Sequence, residues 1–195
     1  MEPKMDHNYT AFADNKKIAS GHVLDVAAKV KKYLMKESKS QVLIFDDDNS
    51  AQIEIDFRGT PESVLRRLET SLAASEDPAK KIGPGRPKLG VTAKEITLLP
   101  DHWEWLARQP GGASVTLRKL VEDAKKKNLG KDLIRQAQEA AYKFMTVMAG
   151  DLPLYEEALR ALYASDAKKF EKMISAWPKD IQEHTWRLAK AALTK

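Results

Sequence analysis

The chain has 195 residues, of which 43% are hydrophobic and 31% charged, so it can build one or two packed domains. It contains no cysteine, which excludes disulfide bonds, thiolate zinc sites and cysteine nucleophiles and fits a reducing compartment. The sequence shows no signal-peptide pattern and no run of roughly 18 apolar residues. We therefore expect a cytoplasmic protein that does not contact membranes.

The formal charge of +5 is distributed unevenly along the chain. Residues 1–78 hold 11 Lys or Arg against 14 Asp or Glu, a net charge of −3. Residues 79–135 hold 13 against 6, which gives +7, and residues 136–195 hold 9 against 8, which gives +1. A local excess of this size is typical of a surface that meets phosphates. A well-solvated lysine-rich surface is the alternative interpretation.

The N-terminal segment, residues 1–74, alternates strand and helix signals and predicts an α+β domain. Short apolar runs on either side of residues 14–17 indicate a β-hairpin. Apolar residues at helical spacing then predict a helix over residues 24–34. Thr60 and Pro61 supply a capping hydroxyl and a first-turn proline for a second helix.

A second hairpin is predicted from residues 42–45 and 53–57. Apolar and acidic residues alternate strictly over 53–57, so one face of this strand should be buried and the other wet. The intervening residues 46–50 are acidic, as in a calcium loop, but they lack the glycine of such a loop and lie between strands. We interpret them as a solvated hairpin tip.

Residues 75–90 form a basic linker rich in proline and glycine. Within it, Gly83-Pro84-Gly85-Arg86-Pro87-Lys88 resembles the core of an AT-hook. That resemblance implies that Arg86 and Lys88 lie in a narrow A·T minor groove, where negative potential is concentrated.

Residues 91–128 predict a strand, a helix, a glycine turn and a second helix. The strand covers residues 91–99, and the first helix covers 100–109 with Trp103 and Leu106 directed to the core. Trp105 faces the opposite side, where it either contacts a partner or is buried under the C-terminal helices. Pro110-Gly111-Gly112 ends the first helix, and Ser114 is placed to cap the second. The apolar face of the second helix consists of Leu117, Leu120, Val121 and Ala124.

This order of elements resembles the ribbon–helix–helix fold of the MetJ, Arc and CopG-type repressors. The resemblance implies a homodimer, because a lone strand needs the strand of a second copy beside it. The paired strands would enter the DNA major groove, and the helix that begins near Ser114 would direct its N–H groups at a phosphate.

The strand register stays open. Ile96 and Leu98 are the more plausible inner residues, which leaves Glu95 and Thr97 facing the bases; the opposite register would place Ile96 and Leu98 on the DNA. Contacts to the DNA backbone do not depend on this choice. The predicted DNA-binding residues are Arg86, Lys88, Lys94, Glu95, Thr97, Ser114, Arg118, Lys125, Lys126 and Lys127.

The C-terminal segment, residues 129–195, predicts a bundle of amphipathic helices. The helices are separated at Gly150 and Pro153, at Ser165-Asp166 and at Pro178. The chain as a whole, in the runs at 52–59, 98–106 and 150–158, also resembles an uncharacterised bacterial family of unknown function. This resemblance implies a cytoplasmic bacterial protein and supplies no activity.

Catalytic chemistry is not indicated. The histidines, at positions 7, 22, 102 and 184, have no metal-ligand spacing and no acid pair nearby in sequence, so we expect no metal site, no cofactor and no enzymatic activity. A deep polar cleft around His102 or His184 would change that view. The sequence favours a DNA-binding homodimer, either a transcriptional regulator or a DNA-associated factor. The alternative is an interaction or ligand-sensing module that dimerises without DNA; the identity of any effector is left open.

Overall fold

The computed structural model describes residues 7–38, 40–75 and 94–194. Two compact units are present: unit 1 comprises Met1–Asp77 and Leu133–Lys195, and unit 2 comprises Pro78–Asp132. The predicted α+β class is confirmed. The strands are β1 (Asn8–Ala13), β2 (Lys16–His22), β3 (Val42–Asp46) and β4 (Gln52–Ile53). The helices are α1 (Val23–Leu34), α2 (Pro61–Ser75), α3 (Pro100–Ala107), α4 (Gly112–Met148), α5 (Tyr155–Tyr163), α6 (Ala167–Ile174) and α7 (Lys179–Leu193).

The four strands of unit 1 form an antiparallel sheet in the order β2-β1-β3-β4. The predicted first hairpin is confirmed, and its tight turn places Asp14 at a φ of 50°. Because successive side chains of a strand point to opposite faces, Tyr9 and Ala11 lie on one face of β1 and Thr10 and Phe12 on the other.

Each face of the sheet is covered by its own hydrophobic core. On one face, Tyr9, Ala11 and Ile44 pack with α1 and α2. On the other, Phe12 and Phe45 pack with helices from the C-terminal part of the chain, among them Phe144 of α4. Unit 1 is therefore a sheet between two helical layers, and it needs both ends of the sequence to complete its cores.

The second hairpin pairs over a shorter length than the sequence predicts. Only Gln52–Ile53 forms a strand, although burial continues to alternate through residue 57. After β4, backbone carbonyl groups accept hydrogen bonds from side chains. Lys31 Nζ donates to Phe57 O at 2.8 Å, and Arg67 Nη2 donates to Asp56 O at 2.8 Å. These bonds replace the ladder that a longer β4 would make.

Unit 2 corrects two predictions about the central segment. Residues 94–99 are in no strand, so the predicted strand is wrong for the part of it that is described. Among the described residues, the four strands of the sheet all lie between residues 8 and 53, and a segment that pairs with no other strand has no ladder to join. The remainder of the predicted strand, residues 91–93, lies outside the described residues, as does the linker at 76–90.

The second central helix is also much longer than expected. It runs for 37 residues, from Gly112 to Met148, and passes through the boundary predicted between residues 128 and 129. No proline interrupts it, and the single interior Gly130 costs only about 1 kcal/mol relative to alanine, which the surrounding good helix formers outweigh. The N-terminal part of α4 lies in unit 2 and its C-terminal part in unit 1.

The C-terminal helix boundaries are confirmed. Helix α4 ends just before Gly150, and α6 follows Asp166, whose carboxylate accepts a hydrogen bond from the Lys169 N–H at 3.0 Å. Helix α7 begins directly after Pro178. These short helices bury Leu162, Phe170 and Ile181 against the sheet-side core.

Candidate functional site

Unit 2 is a pair of helices joined by a glycine turn. Gly111 and Gly112 have φ values of 87° and 72°, a region that side chains rarely adopt. A Cβ on Gly111 would also lie 3.1 Å from the side chain of Val115. Because the turn depends on these glycines, α4 begins at Gly112, and Ser114 lies inside its first turn. The prediction that Ser114 caps the helix is therefore wrong.

A groove of about 410 Å³ lies between α3 and the start of α4. Five of its lining residues are apolar, and Asp101 and His102 supply the polar ones. Leu106 of α3 is fully buried, as predicted, whereas Leu120 of α4 is 48% exposed. The groove lining consists of Leu98, Asp101, His102, Trp105, Leu106, Leu117 and Leu120.

Large apolar side chains are exposed on both helices of unit 2. Trp103 is 42% exposed, so the prediction that it belongs to the core is wrong, and Trp105 is 50% exposed. The fully buried residues of α4 all lie between Ala140 and Met145, in unit 1. The unit 2 part of α4 therefore has no fully buried side chain. Exposed apolar surface of this kind is typical of an interaction face.

The predicted DNA-contacting residues of the central segment are all exposed. Lys94, Glu95 and Thr97 precede α3 outside any strand, so no pleat fixes which side each one faces. On α4, Ser114 and the four predicted cations Arg118, Lys125, Lys126 and Lys127 are all exposed. Arg86 and Lys88, of the predicted minor-groove arm, lie outside the described residues.

The cations of α4 occupy several sides of the helix. Arg118 and Lys125 are seven residues apart and share one side, as do Lys119 and Lys126 on another. Lys125 Nζ lies 3.3 Å from Glu122 Oε1. Within the described ranges, Lys126 and Lys127 have no carboxylate within ion-pair distance. This arrangement suits contacts to a charged backbone better than the reading of one row of bases.

A second polar site lies on unit 1, around residues 46–50. The predicted solvated hairpin tip is correct only for its middle: the Asp48 side chain is 72% exposed, whereas Asp46 and Ser50 are each only 3% exposed. One carboxylate oxygen of Asp46 accepts hydrogen bonds from the N–H groups of Asp48 at 2.8 Å and Asn49 at 3.3 Å. The other lies 2.7 Å from His7 Nδ1. The buried carboxylate of Asp46 thus fixes the conformation of the loop through hydrogen bonds to its backbone.

His7, Asp46 and Asp48 bring three potential metal ligands together. Their ligand atoms all lie within 4.8 Å of one another, so one imidazole nitrogen and two carboxylate oxygens could hold a divalent cation. The spacing of the histidines showed no sign of this cluster, because its members come from separate strands and loops. His7 and Asp46 are 39 residues apart, and only the β1–β3 pairing, with Tyr9 opposite Asp46, makes them neighbours.

Asp47 and His184 connect the sheet to α7. Asp47 Oδ1 accepts hydrogen bonds from Thr10 Oγ1 at 2.7 Å and from Arg187 Nη2 at 2.8 Å. Arg187 Nη2 also lies 3.3 Å from both ring nitrogens of His184, so the guanidinium lies over the imidazole face. Burial, followed by the charges of Arg187 and Lys17, lowers the pKa of His184 to about 3.

The buried neutral His184 predicts a loss of stability in acid. The pKa of a histidine in an unfolded chain is near 6.5, whereas the pKa of His184 in the folded protein is about 3. Between these two pH values the unfolded state binds a proton at this residue and the folded state does not. The free energy of unfolding should fall by about 1.4 kcal/mol per pH unit through this window, or about 2 kcal/mol between pH 7 and 5. Urea unfolding at several pH values measures the slope. His184→Leu should flatten it, and His22→Leu, at an exposed site, should not; an equal slope in all three proteins would contradict the assignment.

These features define an α+β protein that combines a sheet-based unit with a helical unit carrying exposed apolar and basic surface. The chain belongs to the DUF2239 family, described as uncharacterised proteins conserved in bacteria, whose model matches residues 8–189. The predicted resemblance to an uncharacterised bacterial family is confirmed, while the resemblance to ribbon–helix–helix proteins stays a prediction. Neither a curated protein nor a solved structure matched the chain. Within the described ranges, every helix is too short or too polar to cross a membrane.

Proposed function

We propose that this protein binds duplex DNA through residues 79–135, as a transcriptional regulator or DNA-associated factor and not as an enzyme. The carrying observation is that the unit 2 part of α4 exposes cations, among them Lys126 and Lys127, that pair with no carboxylate of the described residues, and that it buries none of its side chains fully. A helix of a self-contained domain normally packs one face against its neighbours. Exposed cations on such a helix fit a polyanionic partner.

The charge distribution supports the same proposal. The +7 of residues 79–135 stands beside −3 for residues 1–78 and +1 for residues 136–195. Binding to phosphates would therefore be directed to one segment and disfavoured at the N-terminal segment. Bacterial DNA lies in the cytoplasm, so the proposal also places the protein there.

The proposed contacts are mainly to the DNA backbone. Arg118, Lys125, Lys126 and Lys127 would neutralise phosphates from α4, and Arg86 with Lys88 would lie in the minor groove. Lys94, Glu95 and Thr97 are the residues through which base preference would arise. Loss of a backbone contact should weaken binding to all sequences alike.

A salt titration of DNA binding tests the proposal. Fluorescence anisotropy of a labelled duplex should show an affinity that falls steeply with salt, with a log–log slope of about 0.9 for each phosphate neutralised. Arg86→Ala combined with Lys88→Ala should lower both the affinity and the slope, most clearly on an A·T-rich duplex. The absence of binding at low salt would overturn the proposal.

A second candidate is an interaction or ligand-sensing module, and the apolar groove between α3 and α4 favours it. Its volume of about 410 Å³ lies within the range of small-molecule sites. In that case the protein would bind an apolar effector, or would self-associate, without any affinity for DNA. Measuring both properties on the same preparation separates the two candidates.

A further inference from the structure

Three side chains of unit 1 are spaced like the ligands of a divalent cation. His7 Nδ1 lies 2.7 Å from Asp46 Oδ2 and 3.5 Å from Asp48 Oδ2, and the three ligand atoms all lie within 4.8 Å of one another. Around a cation with bonds of about 2.0–2.1 Å, neighbouring ligand atoms are about 3 Å apart. The Asp46 side chain is buried, whereas that of Asp48 is exposed and has room to rotate. The spacing therefore fits a cation after a small rotation of one exposed side chain.

The charges of the loop also favour a cation. Asp46, Asp47 and Asp48 are consecutive, and Asp47 pairs with a guanidinium, that of Arg187, at 2.8 Å. Among the described residues, Asp46 and Asp48 lie within ion-pair distance of His7 and of no lysine or arginine. Buried charges in proteins are normally paired or bound to a metal. A cation held between His7 and the two carboxylates would balance both negative charges at once.

The hydroxyl of Ser50 lies in the same loop and lacks a partner. Ser50 is buried, and its Oγ has no hydrogen-bond partner among the described residues. Its N–H donates to Asp46 O at 2.9 Å, so Ser50 and Asp46 close one turn. Buried hydroxyl groups in proteins are nearly always hydrogen-bonded. An unpartnered hydroxyl in this turn indicates a ligand, such as a cation with its bound water, that the described residues do not supply.

A cavity gives the cluster access to solvent. Its volume is about 270 Å³, and it extends within unit 1 from Asp48 and Asn49 to Gln136, Glu139 and Lys143 of α4. Glu139 and Lys143 pair with each other at 2.6 Å, so each compensates the charge of the other. Three protein ligands leave at least one coordination position open, and such a position is normally filled by water. The cavity provides the space for that water.

We infer that His7, Asp46 and Asp48 form a binding site for a divalent transition-metal cation such as Zn²⁺ or Mn²⁺. Imidazole nitrogen is a ligand that transition metals favour, and carboxylate oxygen suits Mn²⁺ as well. Zn²⁺ should bind more tightly than Mn²⁺, following the general order of metal affinities. Mg²⁺ prefers oxygen ligands and retains its water, so it should bind more weakly than either. The site lies in unit 1, and the inference goes beyond the proposed DNA binding without resting on it.

Two simpler interpretations explain less of the site. In the first, His7 and Asp46 form an ion pair and nothing more, which accounts neither for the second carboxylate nor for the unpartnered hydroxyl of Ser50. In the second, the acidic loop binds Ca²⁺. That cation takes about six to eight oxygen ligands, and an imidazole is not among them.

Isothermal titration of Zn²⁺ into the full chain, first cleared of metal with a chelator, tests the site. The wild type should bind one Zn²⁺ with a dissociation constant of about 0.1 mM or lower. Asp48→Asn keeps the shape of an exposed side chain and removes its charge, so it should weaken binding at least about tenfold while the fold is retained. His7→Ala should weaken binding by at least as much, because it removes the nitrogen ligand.

His22→Ala is the matched control for these variants. His22 is exposed and lies outside the cluster, so its removal should leave the affinity for Zn²⁺ unchanged. Wild-type affinity in Asp48→Asn would show that His7 and Asp46 form only an ion pair, and would overturn the inference. A wild type that binds no Zn²⁺ at millimolar concentration, or an equal loss of affinity in His22→Ala, would overturn it as well.

The amide resonances of the full chain locate the cation. Bound Mn²⁺ broadens the resonances of the residues around it, so at low Mn²⁺ concentration the signals of residues 46–50 should broaden first. Broadening that begins around His102, which has Asp101 and Glu104 near it in sequence, would place the cation elsewhere and contradict the inference. Zn²⁺ binding without affinity for DNA would keep the site and remove the proposed function, and DNA binding without affinity for Zn²⁺ would do the reverse.

Discussion

Replacing Lys125, Lys126 and Lys127 together with alanine is expected to weaken binding to duplex DNA roughly 100-fold at physiological salt. The counterion-release slope of about 0.9 per contact makes each phosphate contact worth roughly fivefold under these conditions, and three contacts multiply to this figure. The log–log salt slope should fall by about 2 to 3 at the same time. The slope should fall by about 2 if Lys125 of the wild type stays paired with Glu122 when DNA is bound, and by about 3 if Lys125 contacts a phosphate instead.

The matched control for this prediction lies on α6. Lys168, Lys169 and Lys172 are also exposed, and replacing them with alanine removes the same three charges from unit 1. This control should change the affinity by no more than about twofold, because these lysines lie outside the segment that is proposed to contact DNA, and salt screens exposed charges that make no direct phosphate contact. Equal losses in the two triple variants would show that net charge, and not α4, governs binding.

Replacing Phe144 with alanine is expected to lower the free energy of unfolding by about 3–5 kcal/mol, the usual cost of removing a buried aromatic ring. Phe144 is fully buried, and its ring centroid lies 5.3 Å from that of Phe12 and 5.1 Å from that of Phe45. His184 lies closer still, at 4.5 Å. The ring therefore joins the N-terminal sheet to the C-terminal helices, and urea denaturation measures its contribution.

Val147 supplies the control on the same helix. It is 43% exposed, so Val147→Ala should change stability by no more than about 0.5 kcal/mol. A loss of under about 1 kcal/mol for Phe144→Ala would contradict the view that unit 1 is held together across the sheet by this aromatic contact.

Local signals in the sequence predicted the parts of the fold that local chemistry determines. The turn at Asp14, the helix start at Thr60 and Pro61, and the start of α7 after Pro178 all follow from a few adjacent residues. At Thr60 the side-chain Oγ1 accepts from the Ser63 N–H at 3.3 Å, which is the cap that the sequence predicts.

Features that depend on distant contacts could not be predicted in this way. The loop at 46–50 reads as polar and exposed, but Asp47 meets Arg187 from a helix 140 residues later. His7 and Asp46 are 39 residues apart in the sequence, and the pairing of β1 with β3 brings His7 beside Asp46 and Asp48. An acidic run bounded by strands gives no sign of such burial until the strand order is known.

The central segment shows the limit of alternation as a strand signal. Residues 95–98 alternate between polar and apolar residues, but a strand forms only where a neighbouring strand accepts its hydrogen bonds, and in the part of the chain that the structure describes these residues pair with none. The glycine turn and α3 were predictable because Pro100 and Gly111 act locally. The length of α4 was not, because Asn128 and Gly130 resemble a helix end when tertiary packing is left out.

Hydrogen exchange of the full chain, with and without duplex DNA, tests the central claim most directly. The proposal predicts that added DNA slows amide exchange within residues 79–135 and leaves the strands of unit 1 unchanged, since the cations proposed to meet phosphates lie in that segment. Protection confined to the sheet, or no change in exchange at a DNA concentration that saturates binding of the wild type, would contradict it.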